Sequence, residues 1–355
     1  MRLFNCLLIT IFLISSCKED AESPVIPENY GIGMYILTDN GVSFFDNQDP
    51  LAEIENNIYT TVNNTTINNP KKIKFKDNEA YILAQDYITI VDVKTFAESG
   101  MVSNFINPVD FDFISPNNRL FVVDRYDSRV KVVDVERLEI TTDIETGDST
   151  KPTFIMSNSY KSFVLNGGGD GFAKDSTAIV IKYRDNLVPL ADFEANLTLG
   201  NNPNSAVITN NGALKVLCKG IYDVNNSINN TESSISYINQ YSNEVYSTNN
   251  LSGIYNAQNL TGNYDNSICY FTATGGVYSL NVNTLNTNQI ITSNSSVIKT
   301  NVESFAINDS TTVYYEMLYI NDDNTPNTIY KYNLALSTFI DTIICNGAIR
   351  DINFY

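Results

Sequence analysis

One short pattern recurs along this chain and limits what it can fold into. It is clearest at Val130-Lys131-Val132-Val133-Asp134. It returns at Val42–Asp46, Ile88–Asp92, Ile179–Tyr183, Ile235–Asn239, Val277–Asn281 and Ile329–Asn333. Each copy has strand length and is rich in β-branched and aromatic residues, and most end on Asp or Asn. About seven copies at a spacing of roughly 40 to 60 residues mark an array of small, similar sheets.

The stretch from Asn107 to Leu138 shows the unit around this pattern. Val109, Phe111 and Phe113 alternate with Asp110 and Asp112, as in a half-buried strand. Ser115-Pro116-Asn117-Asn118 is turn chemistry, and Leu120–Val123 is a second strand. A polar loop through Arg125 and Tyr126 leads to the third strand, and a fourth starts near Leu138. Equivalent turns fall at Lys76–Glu79, Asn158–Lys161, Asn210–Gly212, Tyr264–Ser267 and Asn308–Thr311. Pro70, Pro108, Pro152 and Pro203 stand at the start of first strands, where the missing N–H removes no ladder bond. No long stretch after the leader has helical periodicity. The chain starts its array at Met34–Leu37 on a second strand and finishes at Ile349–Phe354 on a first strand. Joined, the two ends complete one sheet and leave no free edge. The expected fold is therefore all-β: a β-propeller of seven four-stranded blades over residues 31–355, with the C-terminal strand closing the first blade.

The N-terminus carries an address. Arg2, the apolar run Leu7–Ile14 and Ile14-Ser15-Ser16-Cys17 read as a signal peptide over residues 1–17. The last four residues resemble the lipobox of bacterial lipoproteins, which implies cleavage before Cys17 and its acylation. Lys18-Glu19-Asp20 resembles the signal that sends some lipoproteins to the outer face of the outer membrane. Residues 18–30, with Pro24 and Pro27, read as an extended tether. The expected membrane contact is through this lipid alone.

Composition narrows the chemistry. Removing Arg2 with the leader leaves 21 basic residues against 40 acidic ones, which opposes nucleic acid as a partner. There is no histidine, so Ser-His-Asp and Cys-His catalysis, His-ligated zinc and His-ligated haem are all excluded. Cys218, Cys269 and Cys345 remain after the leader and the lipid cysteine. None has C-x-x-C spacing, and buried free thiols are the expected state. Asn321-Asp322-Asp323-Asn324 lacks the spacing of a calcium loop and reads as a polar insertion. No metal, no cofactor and no enzymatic activity are expected.

Leu120-Phe121-Val122-Val123-Asp124 and Val130 through Leu138 are close to the "LYVVD…VxVIDxxxL" repeat. On these residues the chain resembles YVTN/YncE-like seven-bladed β-propellers, most strongly in blades two and three. The complete lack of Trp separates it from WD repeats, sialidase-type Asp boxes and tryptophan-docked quinoprotein propellers. Lipidated propellers of this type, in a group often labelled a domain of unknown function, sit on bacterial surfaces beside TonB-dependent transporters. One branch captures vitamin B12 and related corrinoids. The resemblance thus implies a non-catalytic surface lipoprotein that binds a small ligand, a corrinoid being the named candidate, beside an outer-membrane uptake transporter. The competing readings are a structural or adhesive surface protein binding a polymer or another protein and, third, a carboxylate-based propeller enzyme.

Loops that a rigid scaffold holds are the natural place for a ligand. The turns between second and third strands and the crossings into each first strand share one face. They carry Asp39, Asn40, Gln85, Asp86, Tyr87, Arg125, Tyr126, Asp127, Arg129, Asp170, Phe172, Tyr222 and Asp223. Tyr and Arg are common binding anchors. Asp170 and Phe172 belong to a loop with three consecutive glycines, Gly167-Gly168-Gly169, whose backbone can approach a ligand closely. The selected ligand set is Asp39, Tyr87, Arg125, Tyr126, Arg129, Asp170, Phe172 and Tyr222.

The address reading makes two testable claims. Cys17→Ser should release the protein from membranes on fractionation. Replacing Lys18, Glu19 and Asp20 by Ala should leave it lipidated but protected from protease added to intact cells; continued cleavage would refute the export signal.

Overall fold

The structure, a computed structural model, describes residues 27–49, 51–114, 119–147, 150–168, 175–183, 191–308 and 311–355. The leader, Cys17, Lys18, Glu19 and Asp20 lie outside the described residues, as do Asp170 and Phe172. Seven sheets form a propeller ring around a central channel. Blade one opens with β1 (Met34–Thr38) and β2 (Gly41–Phe45), followed by a short helix α1 (Ile58–Asn63). Blade two is β3 (Lys72–Lys76), β4 (Glu79–Leu83), β5 (Tyr87–Asp92) and β6 (Glu98–Ser103). Blade three is β7 (Pro108–Ile114), β8 (Arg119–Asp124), β9 (Arg129–Asp134) and β10 (Glu139–Glu145). Blade four is β11 (Pro152–Ser157), β12 (Lys161–Asn166), β13 (Thr177–Tyr183) and β14 (Ala191–Thr198). Blade five is β15 (Pro203–Ile208), β16 (Ala213–Cys218), β17 (Ser234–Asn239) and β18 (Glu244–Asn250). Blade six is β19 (Gln258–Gly262), β20 (Ile268–Ala273), β21 (Gly276–Asn281) and β22 (Thr287–Ile291). Blade seven is β23 (Ile298–Asn308), β24 (Thr311–Asp322), β25 (Thr325–Asn333) and β26 (Thr338–Ile344), and β27 (Ile349–Phe354) ends the chain.

β27 returns to blade one and pairs antiparallel with β1, Met34 opposite Phe354 and Ile36 opposite Ile352. The closure expected from the two chain ends is present. Blade one differs from the expected four strands: its order is β2-β1-β27, with three strands. On the outer side of β2 a single bridge forms, Phe44 and Glu55 exchanging N–H···O bonds of 2.8 Å. Helix α1 packs beside it, with Ile58 and Tyr59 buried. Two turns of low-propensity sequence therefore cover an edge where the other blades have a fourth strand.

The apolar side chains explain why the sheets stack. In β8, Leu120 and Val122 pack toward blade two while Phe121 and Val123 pack toward blade four. A strand buried on both faces needs a continuous apolar run, which is what Leu120–Val123 supplies. Outer strands have one wet face and alternate, as in β18, whose residues are alternately exposed and half-buried. Each neighbouring pair of blades encloses its own hydrophobic cluster. At the closure Met34, Ile36, Ile349 and Ile352 meet Met317, Tyr319 and Ile329 of blade seven.

Where a third strand ends on Asp or Asn, that residue caps the turn after it. Asp92 Oδ1 accepts from the N–H groups of Lys94 and Thr95, at 3.0 and 2.9 Å. Asn239 accepts from Tyr241 and Ser242, Asn281 from Asn283 and Thr284, and Asn333 from Leu336. The turn then runs through one left-handed residue: Phe96, Leu138, Asn243, Leu285 or Ser337, with φ between 51° and 62°. Bulky residues seldom adopt that conformation, so the Asx cap helps hold the chain there.

Removing Gly347–Tyr355 should open the ring. Ile349 and Ile352 alone would lose about 3 to 6 kcal/mol of burial, at ~1.5–3 kcal/mol per side chain. The truncated chain is expected to melt far below the intact one in a thermal scan; equal melting would refute closure by β27.

Candidate functional site

One face of the ring carries the turns between second and third strands and the crossings between blades; it is called the upper face below. Most of the ligand residues nominated from sequence are on it, and several already hold the scaffold. Asp39 Oδ1 accepts from Ala348 N at 2.8 Å and so clamps the crossing into β27. The approach is close: a Cβ on Gly347 would lie 2.3 Å from the same oxygen. Asp124 makes the equivalent clamp in blade three, taking the N–H groups of Ile106 and Asn107 at 2.7 Å each. Asn321 makes it in blade seven, taking those of Ser296 and Val297. The hydroxyl of Tyr87 accepts from Asn68 N at 3.0 Å, and burial raises its pKa. Arg125 donates to Gly168 O at 3.0 Å.

Arg129 lies toward the outer rim, its guanidinium 2.5 Å from Asp143 and 2.9 Å from Glu145 on β10. Tyr126 is 63% exposed, with Lys151 Nζ 5.3 Å from its ring centre. Tyr222 lines a separate upper-face pocket of about 330 Å³ with Asn256, Gln258, Asn259, Asn294 and Asp323. The nominated residues thus spread around the face instead of converging. Arg125 and Tyr126 form one neighbourhood, and Tyr222 belongs to another.

A larger cavity lies elsewhere, between blades seven and one, and opens toward the lower face. Its volume is about 1440 Å³. Blade seven supplies Val302, Tyr314, Ile340 and Ile344, and blade one supplies Phe45, Ile54 and Phe354. β23 and β24 have 11 and 12 residues, well beyond the five to nine of the other strands, so their hairpin extends this wall. Blade one offers no fourth strand opposite β26, and residues 47–54 cover only part of the space. An ion pair lies in the cleft: Lys331 Nζ is 2.5 Å from Glu303 Oε2, and both side chains are at most 10% exposed. Asn47 donates to the same carboxylate at 3.5 Å. Asp49, Glu53 and Asp341 add further acidic groups to the lining. A buried ion pair beside apolar walls fixes orientation for a ligand that has both polar and apolar parts. Sequence reasoning missed the cleft. Its strongest visible trace was Val313 to Ile320, an apolar and aromatic stretch too long for an ordinary blade strand.

The thiols give no sign of reactivity. Cys218, Cys269 and Cys345 are free and buried, and burial pushes them up to about 11, 12 and 12. Among the described residues no group of three or more Cys, Asp or Glu side chains is placed to hold a metal ion. Asp322 caps its own turn by accepting from Asn324 N at 2.9 Å.

No family model matches the chain, and neither does any curated protein. Solved structures do match. A candidate 6-phosphogluconolactonase of Bacteroides fragilis NCTC 9343 superposes with a TM-score of 0.62 at 10% identity, over 94% of this chain and all of its own. A second one, from Bacteroides uniformis, gives 0.64 at 10% identity, over 91% and 99%. Hydrazine synthase of Kuenenia stuttgartiensis gives 0.63 at 13% identity, over 81% and 90%. At such identities the likeness is one of fold, and the fold these neighbours share with this chain is the β-propeller.

Proposed function

We propose that this chain is a non-catalytic ligand-binding propeller, anchored through Cys17 at the outer face of the outer membrane, that delivers its ligand to a TonB-dependent transporter. The observation that carries the binding reading is the cleft between blades seven and one, about 1440 Å³ with apolar walls and a buried Lys331–Glu303 pair. Ligand pockets for ordinary small molecules run to roughly 1,000 Å³, so this one suits a larger molecule. A corrinoid is of that class, and it remains the named candidate. The acidic lining favours a neutral or cationic ligand over an anion. A lactonase reading, taken from the names of two structural neighbours, has less support. With no histidine in the chain, the general base would have to be a carboxylate, Lys or Tyr. An adhesive reading is second, favoured by Phe339, Ile340 and Ile344, all exposed on the outer strand of blade seven.

Calorimetry of the protein from Ala21 onward, with cobalamin and cobinamide, tests the ligand. No heat at micromolar protein would remove the corrinoid while leaving the cleft itself open to other ligands. Tyr314→Ala and Ile340→Ala should each weaken binding by about 1 kcal/mol or more, as truncated anchors do. Loss of affinity in Arg125→Ala and Tyr126→Ala, with the cleft variants unaffected, would move the site to the upper face.

A further inference from the structure

The channel wall is uneven. Its inner strands in blades four to six offer mainly hydroxyls, amides and apolar groups: Thr153 on β11, Asn204 and Ser205 on β15, Asn259 and Thr261 on β19. The other side is charged. Lys299 on β23, Asp351 on β27, Lys72 and Lys74 on β3, and Asp110 and Asp112 on β7 follow one another around the ring.

The carboxylates here are already occupied. Asp110 accepts from Ile155 N at 3.0 Å and from Phe111 N at 2.9 Å, and faces Lys74 at 3.1 Å. Asp112 accepts from Ser157 N at 2.6 Å and Phe113 N at 3.0 Å. Asp351 takes Ile73 N at 3.1 Å with one oxygen and Lys72 at 3.4 Å with the other. The lysines are less well served. Lys74 is paired with Asp110, while Lys72 has that single contact of 3.4 Å and a side chain that is 40% exposed. Lys299 has no ion pair or hydrogen bond from its ammonium among the described residues. Burial lowers its pKa; Asp351 opposes that, and the charges of Lys72 and Lys74 add to it. An ammonium has three donors, so Lys72 and Lys299 keep donors that no group among the described residues takes. A cation enclosed by protein without a partner is costly, and a bound anion removes that cost.

We propose that the central channel binds a small multivalent oxyanion, of the phosphate or carboxylate class, between Lys299 and Lys72. The site is separate from the cleft between blades seven and one, and its existence does not depend on what that cleft binds. Specificity would come from charge first. Each ammonium contributes charge-assisted hydrogen bonds that water-filled channel walls do not provide. Lys74 raises the local potential without being released from Asp110.

The test is titration calorimetry of the full-length chain in detergent, with inorganic phosphate and citrate, each against chloride at matched ionic strength. Lys299→Met should weaken the oxyanion by about tenfold or more, the loss of a hydrogen bond to a charged group. Its melting temperature without anion should stay level or rise, because the removed ammonium has no partner. Lys72→Met should weaken binding as well, and Lys182→Met, on an exposed position of β13, should not. Heat with either anion that follows this pattern supports the site. Heat no greater than with chloride, or an affinity that survives Lys299→Met, overturns it.

Discussion

The inner edge of every blade sets the problem that the rest of this structure answers. Strands of one sheet pair with each other, but the first strand of each blade faces the channel with one row of N–H and C=O groups unpaired. Left bare, those groups lose their water or invite a foreign strand. Here the neighbouring blade supplies side chains. Asp351 caps Ile73 N, Asp110 caps Ile155 N, Asp112 caps Ser157 N and Ser205 caps Leu260 N. Carbonyls are treated likewise: Asn353 donates to Ile73 O and Asn204 to Ala257 O. Each bond crosses a blade boundary, so satisfying the edge also fixes the angle between sheets. The charge on the aspartates strengthens these bonds.

That constraint explains a feature of the sequence that looks wrong for a core strand. β3 reads Lys-Ile-Lys-Phe-Lys and β7 reads Pro-Val-Asp-Phe-Asp-Phe-Ile, with charges at the very centre of the molecule. They are tolerated because each aspartate has backbone donors to meet and because Lys72 and Lys74 have carboxylate partners. The same geometry makes closure unforgiving. β27 completes blade one, and its Asp351 and Asn353 reach across to β3 in blade two. Blade one therefore has inner and middle strands of full quality, and what it lacks is at the rim. The ring closes through its inside, while the missing rim strand leaves room for the cleft.

The fold was legible because the propeller repeats its local grammar. The hairpin turns at Lys76–Glu79, Asn158–Lys161 and Tyr264–Ser267 separate strands as their Asn, Asp and Ser content indicates. The prolines at Pro108, Pro152 and Pro203 are first residues of strands, as read. What could not be read depends on contacts without local signal. Helix α1 is six residues of Ile-Tyr-Thr-Thr-Val-Asn, with β-branched residues throughout, and it forms because the edge of blade one gives Ile58 and Tyr59 somewhere to pack. The site was less legible still. Asp39, Tyr87 and Arg125 look like ligand contacts by residue type, yet each has a hydrogen bond to a distant backbone atom. Residue type names a side chain that can bind something; only the fold says that the something is the chain itself.

The strong negative charge can be judged by the same standard. It would be uninformative if the architecture required it, since most third strands here end on a residue that caps the following turn. It does not require charge there. Asn239, Asn281 and Asn333 cap their turns with the same oxygen as Asp92 and Asp134. Blades five to seven therefore perform with a neutral amide what blades two and three perform with a carboxylate. The acidic excess of the chain, 40 against 22, is a property added to the fold and not demanded by its turns. Against that background the lysines of the channel are the exception. Lys72, Lys74 and Lys299 stand together where an acidic protein needs no cation for solubility; Lys74 pairs with Asp110 and Lys72 with Asp351, while Lys299 has no ion pair among the described residues.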